Sequence, residues 1–195
     1  TTINTSSLEA GASIINDVSA LRFDPDLAVL AAEFDTPLIL MHMLGEPKYM
    51  QVLPRYENLI EEIISFLEDA AKRAESQGVS RAKIIVDPGI GFGKTVAHNL
   101  LLIKHLQDFT RLVLPILIGT SRKAFIRKIL KDNHEQDLRP DLPIVENGTQ
   151  ATLAAAILNG AHIVRVHDVA NTLATVKIMD ALMNVQDEEG MGMRA

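Results

Sequence analysis

The chain contains no cysteine and no tryptophan, and only 4% of its 195 residues are aromatic. The absence of cysteine excludes a disulfide framework, a thiolate metal site and a cysteine nucleophile. The scarcity of aromatic residues predicts an aliphatic core of Ile, Leu, Val and Ala, which suits parallel strands covered by helices on both faces.

An excess of positive charge and long apolar runs are also missing. The net charge is −6 and the isoelectric point is about 5.5, so the sequence lacks the basic clusters that nucleic acid or an anionic membrane requires. No apolar run approaches the roughly 20 residues that span a bilayer. The first residues lack the basic segment and apolar core of a signal peptide. We therefore expect a soluble, cytoplasmic protein that binds small molecules and neither nucleic acid nor membrane.

Apolar runs alternate with helical patterns along the chain. Short strands are predicted at residues 13–15, 37–41, 84–86, 114–118 and 163–166. Helices are predicted near residues 24–34, 56–77, 98–108, 121–130, 150–158 and 171–182. Alternation without hairpin signals indicates an α/β protein with a parallel sheet. We expect one domain over residues 1–185 and a tail at 186–195 that frays, since the tail has no apolar period.

Polar side chains follow each predicted strand. They are Asn16, Asp17, His42, Asp87, Thr120, Ser121, Lys123, Arg165, His167 and Asp168. The carboxyl ends of parallel strands share one side of the sheet, where ligands bind in α/β folds. The acceptors Asn16 and Asp87 suit a heterocycle with N–H groups, while Lys123 and Arg165 suit a carbonyl or an anion. The residues predict a pocket that holds and polarises two substrates that react with each other.

Five short motifs, in this order, resemble dihydropteroate synthase over roughly residues 11–182. The motifs are Ile15-Asn16-Asp17, Leu40-Met41-His42-Met43, Asp-Pro-Gly-Ile-Gly-Phe-Gly-Lys at 87–94 with His98-Asn99, Gly-Thr-Ser-Arg-Lys at 119–123, and Arg165-Val166-His167-Asp168. The resemblance implies a TIM (β/α)8 barrel of the pterin-binding type. It also implies a transferase of folate biosynthesis, which joins 6-hydroxymethyl-7,8-dihydropterin pyrophosphate to p-aminobenzoate and is the target of sulfonamides.

The resemblance also implies a role for each matching residue. Hydrogen bonds to the pterin are expected from Asn16, Asp87 and Lys123, with Met41 packed against the ring. The face of the pterin and the pyrophosphate are expected to contact Arg165 and His167. The p-aminobenzoate pocket is expected to be lined by Gly91, Phe92, Ser121 and Lys123. The implied catalytic residues are Asp87, Lys123 and Arg165. Also implied are a homodimer and a Mg²⁺ cofactor, whose usual protein ligand is not in this chain.

The five predicted strands are three short of the eight that close such a barrel. We therefore expect an incomplete barrel in which the N-terminal strands are missing. Residues 2–5 resemble the family's third strand, with Asn4 at the position where an Asp contacts the pterin in the family. Only eleven residues separate Asn4 from Asn16, and a βαβ crossover needs about a dozen or more. Either a segment between these residues is missing or the resemblance to the third strand is accidental.

Several interpretations stay open at this stage. The chain is a fragment of a complete enzyme, a truncated product, or an inactive pterin-binding barrel that acts as a partner subunit. A methyltetrahydrofolate-binding methyltransferase domain would also place Asp and Asn at strand ends. A phosphate-binding aldolase-type barrel is disfavoured, because it needs a Schiff-base lysine inside a strand and Lys94 and Lys123 lie beyond strand ends.

Overall fold

Strands and helices alternate in the computed structural model of the chain, which describes residues 2–45, 54–131 and 137–186. Its strands are β1 (Ile15–Asp17), β2 (Leu38–Met41), β3 (Ile84–Asp87), β4 (Leu117–Ile118) and β5 (Ile163–Val164). Its helices are α1 (Thr2–Glu9), α2 (Asp26–Glu33), α3 (Leu59–Ser76), α4 (Val96–Lys104), α5 (Ala124–Leu130), α6 (Pro143–Leu158) and α7 (Val169–Asn184). Short 3₁₀ helices, Arg81–Lys83 and Leu106–Leu112, precede β3 and follow α4.

The strands pair in parallel and lie side by side in chain order. Strand β2 pairs with β1 and β3, and β4 pairs with β5. A single parallel bridge between Val86 and Ile116 joins the two sets, where the N–H of Val86 donates to the carbonyl of Pro115 at 2.9 Å. The predicted α/β class with a parallel sheet is confirmed.

Successive side chains along each strand point to opposite faces of the sheet. One face packs against the helices and contributes to the main core, with Leu38, Leu40, Ile84, Val86, Ile116 and Ile118. The other face carries a small separate apolar cluster of Ile39, Ile85 and Leu117, and we call it the inner face. Asn16 pairs with Ile39 and Ile163 pairs with Leu117, so both belong to the inner face.

The longest helix, α3, follows from its sequence pattern. Its buried residues keep helical spacing and are Leu59, Ile63, Ile64, Leu67, Ala70, Ala71 and Ala74. Each large aliphatic side chain buried in this way contributes roughly 1.5–3 kcal/mol. The side chain of Asn58 accepts from the N–H of Glu61 and caps the first turn. The predicted range of 56–77 is therefore correct to within three residues.

Helix α6 begins at Pro143, seven residues before the start predicted at Gln150. The sequence indicated a loop there because the segment is polar and contains proline. Proline is well suited to the first turn of a helix, where its missing N–H has no partner to lose. The hydroxyl of Thr149 donates to the carbonyl of Val145 at 3.0 Å, which satisfies a buried polar side chain within the helix.

Other boundaries differ from the predictions as well. Strand β1 covers Ile15–Asp17 and not residues 13–15, and the ends of α2, α4 and α7 shift by one to four residues. Helix α5 begins at Ala124 and not at Ser121, because a turn with Arg122 at φ +58° precedes it. Strand β4 covers only Leu117–Ile118 of the predicted 114–118, since Pro115 cannot donate to a ladder. Strand β5 ends at Val164, two residues early.

Residues 2–5 form the first half of helix α1, so the resemblance of this segment to a strand is wrong. Residues 46–53, between β2 and α3, lie outside the described residues, as does the predicted frayed tail beyond residue 186. The single domain over residues 1–185 stays a prediction.

Candidate active site

The ends of the strands bring several predicted site residues onto the inner face. Met41 of β2 lies directly opposite Asp87 of β3. Directly after β5, the N–H of Arg165 donates to the carbonyl of Ile118 at 3.0 Å, and its position two residues after Ile163 returns it to the same face. Three strands therefore present an apolar side chain, an acid and a cation on one side of the sheet.

Asp87 is the most deeply buried acid of this group, with 3% of its surface exposed. Its Oδ1 accepts a hydrogen bond from the N–H of Gly89 at 2.7 Å. Burial raises the pKa of Asp87 from 3.8 to about 6, although the Gly89 hydrogen bond and the charges of Arg165, Lys94 and Lys123 lower it. The charges of these three cations act on Asp87, which is consistent with the predicted trio of Asp87, Lys123 and Arg165 lying at the same end of the sheet.

Gly91 lies where the loop after β3 meets Lys123. Its φ of +83° is rarely adopted by other residues, and a Cβ there would come within 3.2 Å of Cδ of Lys123. The N–H of Gly91 donates to Oδ1 of Asn99 at 2.7 Å, and Nδ2 of Asn99 donates to the carbonyl of Thr95 at 2.7 Å. Asn99, buried at the start of α4, thus holds this loop in place.

Phe92 and Lys123 form one side of the candidate site. Nζ of Lys123 lies 4.1 Å from the centroid of the Phe92 ring, a cation–π contact. Partial burial lowers the pKa of Lys123, with Arg165 acting in the same direction and Asp87 opposing it. The pair presents a flat aromatic surface beside a half-buried donor.

Ser121 and His167 connect the ends of β4 and β5. The hydroxyl of Ser121 lies 2.9 Å from Nδ1 of His167 and accepts from the backbone N–H of His167 at 3.3 Å. The Ser121 oxygen has two lone pairs, so it can accept from the backbone N–H and still either donate to Nδ1 or accept from it. The two residues that the resemblance assigns to different substrates are in direct contact.

His42 and Lys94 are site residues whose partnership the sequence did not indicate. Nζ of Lys94 lies 2.9 Å from Nδ1 of His42 and 3.0 Å from the carbonyl of Phe92. Burial, together with the charges of Lys94 and Arg22, lowers the pKa of His42 to about 2. Burial lowers the pKa of Lys94 to about 7, against the attraction of Asp87. The sequence did contain a signal for both residues, since His42 directly follows β2 and Lys94 is the last residue of the glycine-rich segment 87–94.

Asn16 shares the inner face but not the immediate surroundings of Asp87. It is exposed on β1, and β2 lies between it and β3. Two strand spacings amount to about 10 Å, and its pairing with Ile39 places Asn16 two residues below the level of Met41 and Asp87. The structure therefore brings together Asp87, Lys123 and Arg165, with Asn16 at the edge of the same face.

A cavity of about 690 Å³ adjoins the Lys123 side of the loop. Its walls include Gly91, Lys94, Asn99, Lys123 and Lys128. Within residues 2–45, 54–131 and 137–186 no group of three or more His, Asp or Glu could hold a metal ion. The charges around Asp87 are cationic, which suits an anionic ligand better than Mg²⁺.

Comparison with known proteins identifies the class to which this site belongs. The sequence profile of the family described as "Pterin binding enzyme" matches residues 1–167, and the chain belongs to that family. Several curated relatives of the chain are dihydropteroate synthases. The chain is 43% identical over 175 residues to the dihydropteroate synthase of Synechocystis sp., covering 90% of this chain and 58% of that protein. It is 36% identical over 183 residues to that of Escherichia coli K12, covering 94% and 62%.

Solved structures show the same likeness in three dimensions. The Yersinia pestis dihydropteroate synthase, solved with a sulfonamide drug complex, matches with a TM-score of 0.87 at 36% identity, covering 95% of this chain and 64% of that one. The Xanthomonas albilineans enzyme in complex with 7,8-dihydropteroate matches with a TM-score of 0.82 at 33% identity, covering 95% and 64%.

The comparisons confirm two predictions made from the motifs. The chain resembles dihydropteroate synthase, and its five parallel strands are part of an incomplete (β/α)8 barrel. It spans about three-fifths of the length of the curated relatives that it matches. In the described part of the chain, no helix is long and apolar enough to cross a membrane.

Proposed function

We propose that this chain carries the pterin and p-aminobenzoate sites of a dihydropteroate synthase. The observation that carries the proposal is the group formed by buried Asp87, the cations Lys123 and Arg165, and the ring of Phe92. A buried acceptor beside cations suits a pterin that presents N–H groups and carries an anionic leaving group.

The reaction needs no nucleophile from the protein. The bond between the methylene carbon of the pterin and the pyrophosphate oxygen breaks, and pyrophosphate leaves with the electron pair. The arylamine nitrogen of p-aminobenzoate bonds to that carbon and gives up a proton. Arg165 and His167 stabilise the leaving anion, and Asp87 stabilises the electron-poor ring that results.

The remaining residues hold the substrates. Asn16 and Lys123 hydrogen-bond the pterin together with Asp87, and Met41 packs against the ring. The p-aminobenzoate pocket is lined by Gly91, Phe92, Ser121 and Lys123. The contact of Lys123 with the Phe92 ring supports this arrangement, as does Gly91, where an added Cβ would come within 3.2 Å of the same lysine. The Xanthomonas albilineans dihydropteroate synthase has been solved with 4-aminobenzoic acid, which supports the same substrate class for this chain.

Two alternatives lead to different measurements. A methyltetrahydrofolate-binding methyltransferase domain needs a pterin site but no aminobenzoate pocket, so the contact between Lys123 and Phe92 favours the synthase. Release of pyrophosphate that depends on p-aminobenzoate separates these two. An inactive barrel that serves as a partner subunit would bind a full-length synthase and show no turnover.

Thermal unfolding of the chain with pterin pyrophosphate tests the proposal directly. Ligand at 100 times its dissociation constant stabilises the native state by about 2.7 kcal/mol. For a chain of this size we expect the melting temperature to rise by at least about 5 °C. Methyltetrahydrofolate is the matched control ligand. No shift with the pyrophosphate, or a larger shift with methyltetrahydrofolate, would contradict the proposal.

Replacing Lys123 with Met is expected to weaken both substrates. The change removes a charged donor, and hydrogen bonds to charged groups contribute roughly 1.5–3 kcal/mol, which corresponds to about a 10–100-fold loss of affinity. Calorimetric titration with each substrate measures the loss. Lys72→Met, on the exposed face of α3, controls for removal of a positive charge. Equal affinities for the Lys123 and Lys72 variants would remove Lys123 from the site.

The other implied properties stay proposals. The described residues offer Mg²⁺ no carboxylate cluster, so no step of the reaction is assigned to it. A homodimer and a cytoplasmic location are expected from the resemblance and the composition.

A further inference from the structure

The ammonium group of Lys94 is enclosed at the end of the glycine loop. Only 4% of the residue's surface is exposed. Nζ donates to the carbonyl of Phe92 at 3.0 Å, and Nδ1 of His42 lies at 2.9 Å. Because an ammonium can only donate, Nδ1 of His42 is the acceptor whenever Lys94 is charged, and the ring then carries its proton on Nε2.

His42 is itself held from two sides, so it is a rigid partner for Lys94. Its backbone N–H donates to the carbonyl of Asp87 at 2.9 Å. Its ring meets the ring of Phe66 on α3 edge-to-face at 4.8 Å. Lys94 therefore ties the far end of the loop, residues 88–94, to the end of β2 and to the helix layer behind it.

The loop has a second attachment on its other side. Asn99 accepts from the N–H of Gly91 and donates to the carbonyl of Thr95. Asn99 holds the middle of the loop against α4, while Lys94 holds the backbone of Phe92. The ring of Phe92 lies against Lys123. The hydrogen bond from Lys94 to the carbonyl of Phe92 therefore determines the position of the aromatic ring that lines the site.

We propose that Lys94 is a positioning residue, which acts through the carbonyl of Phe92 and through His42 to hold the loop of residues 88–94 in its binding geometry. This inference rests on the proposed function, in which Phe92 lines the p-aminobenzoate pocket. Loss of the tether lets the Phe92 ring leave Lys123 and weakens the arylamine more than the pterin.

Hydrogen exchange of backbone amides tests the tether without any ligand. In Lys94→Met we expect the amides of residues 89–93 to exchange at least tenfold faster than in the unchanged chain, with the amides of α3 unaffected. Lys104→Met, an exposed lysine of α4, is the control and leaves the loop amides as they are. Uniform acceleration across the loop and α3 would mean general destabilisation and would overturn the proposal.

Binding measurements separate positioning from a general loss of structure. With Lys94→Met we expect p-aminobenzoate affinity to fall at least tenfold and pterin affinity to fall less than threefold. Lys94→Arg keeps the charge and two donors, and Lys94 borders the 690 Å³ cavity, which has room for the longer side chain. The Arg variant is expected to bind p-aminobenzoate within threefold of the unchanged chain.

The outcomes are distinguishable from a failure of the proposed function. If the unchanged chain binds neither substrate, the proposed function fails while the exchange experiment still decides the role of Lys94. If the unchanged chain binds both and Lys94→Met matches it in exchange and affinity, the tether is disproved. An Arg variant no better than the Met variant also contradicts it.

Discussion

Asp87→Asn is expected to weaken pterin binding at least about 100-fold and, at pH 7, to make the unliganded chain more stable. Burial raises the pKa of Asp87 from 3.8 to about 6 in the folded chain. The carboxyl therefore ionises at lower pH in the unfolded chain than in the folded one. Stability falls as pH rises from about 4 to about 6, and above pH 6 the full difference of roughly 3 kcal/mol is lost.

Asparagine avoids that loss because it carries no charge, and its Oδ1 still accepts from the N–H of Gly89. We expect a gain of about 1–3 kcal/mol in the free energy of unfolding, seen as a rise of about 5 °C in melting temperature. The gain should disappear below about pH 3, where the carboxyl is protonated in both states. Melting curves between pH 3 and pH 8 measure it.

The binding loss has a separate physical reason. A carboxylate accepts from two N–H groups of a pterin, whereas the amide of Asn presents an N–H₂ group to one of them. Leaving a buried donor unsatisfied costs roughly 1–3 kcal/mol, and loss of the charge adds to this. We expect affinity to fall at least about 100-fold. For the unchanged chain, affinity should decline as pH falls through about 6.

Asp69→Asn on the exposed face of α3 is the matched control and should leave affinity and stability nearly unchanged. Normal pterin affinity in Asp87→Asn would remove the residue from the site. A variant that loses both affinity and stability would show that Asp87 serves the fold and not the ligand.

Gly89→Ala is expected to destabilise the chain by about 3 kcal/mol or more. Gly89 has φ +73°, and a Cβ there would overlap the carbonyl oxygen of His42 and come within 3.4 Å of Cγ of Met41. The His42 carbonyl cannot move freely, because the N–H of the same residue bonds to Asp87. Overlap with fixed backbone belongs to the small class of substitutions with large effects on stability.

Gly11→Ala provides the matched control for this change. Gly11 has φ +104°, and nothing lies within 4 Å of the position of its missing Cβ. It therefore carries the cost of the left-handed backbone, about 1 kcal/mol, without the overlap. Urea unfolding of both variants measures the difference, which we expect to be at least about 2 kcal/mol. Equal stabilities would show that the loop after β3 adjusts freely.

Apart from α1, the order and type of the helices and strands could be predicted from the sequence because periodicity is local. The apolar spacing of α3 and the aliphatic runs of β2 and β3 need no information from elsewhere in the chain. The start of α6 was missed because polar residues and Pro143 indicate a loop in isolation. The structure shows α6 packed against α5 and α7, so tertiary contacts outweigh local preference there.

The candidate site likewise has residues that could be predicted from the sequence and contacts that could not. Asp87, Lys123 and Arg165 could be predicted, since each follows a strand and parallel strands end on one side of a sheet. The bond of Lys94 to His42 spans 52 residues and that of Ser121 to His167 spans 46. Such pairs depend on which strands are neighbours and on their register, and no local pattern contains either.

The amino-acid sequence alone determines the class of fold, the family resemblance and the identity of the polar groups at the strand ends. Only the folded chain decides which of those groups meet, that Asn16 lies apart from Asp87, and that Asp87 is buried deeply enough to raise its pKa. The physical reason is that residue type and spacing are written along the chain, whereas burial and electrostatic coupling arise between segments that only the packed sheet brings within a few ångströms of one another.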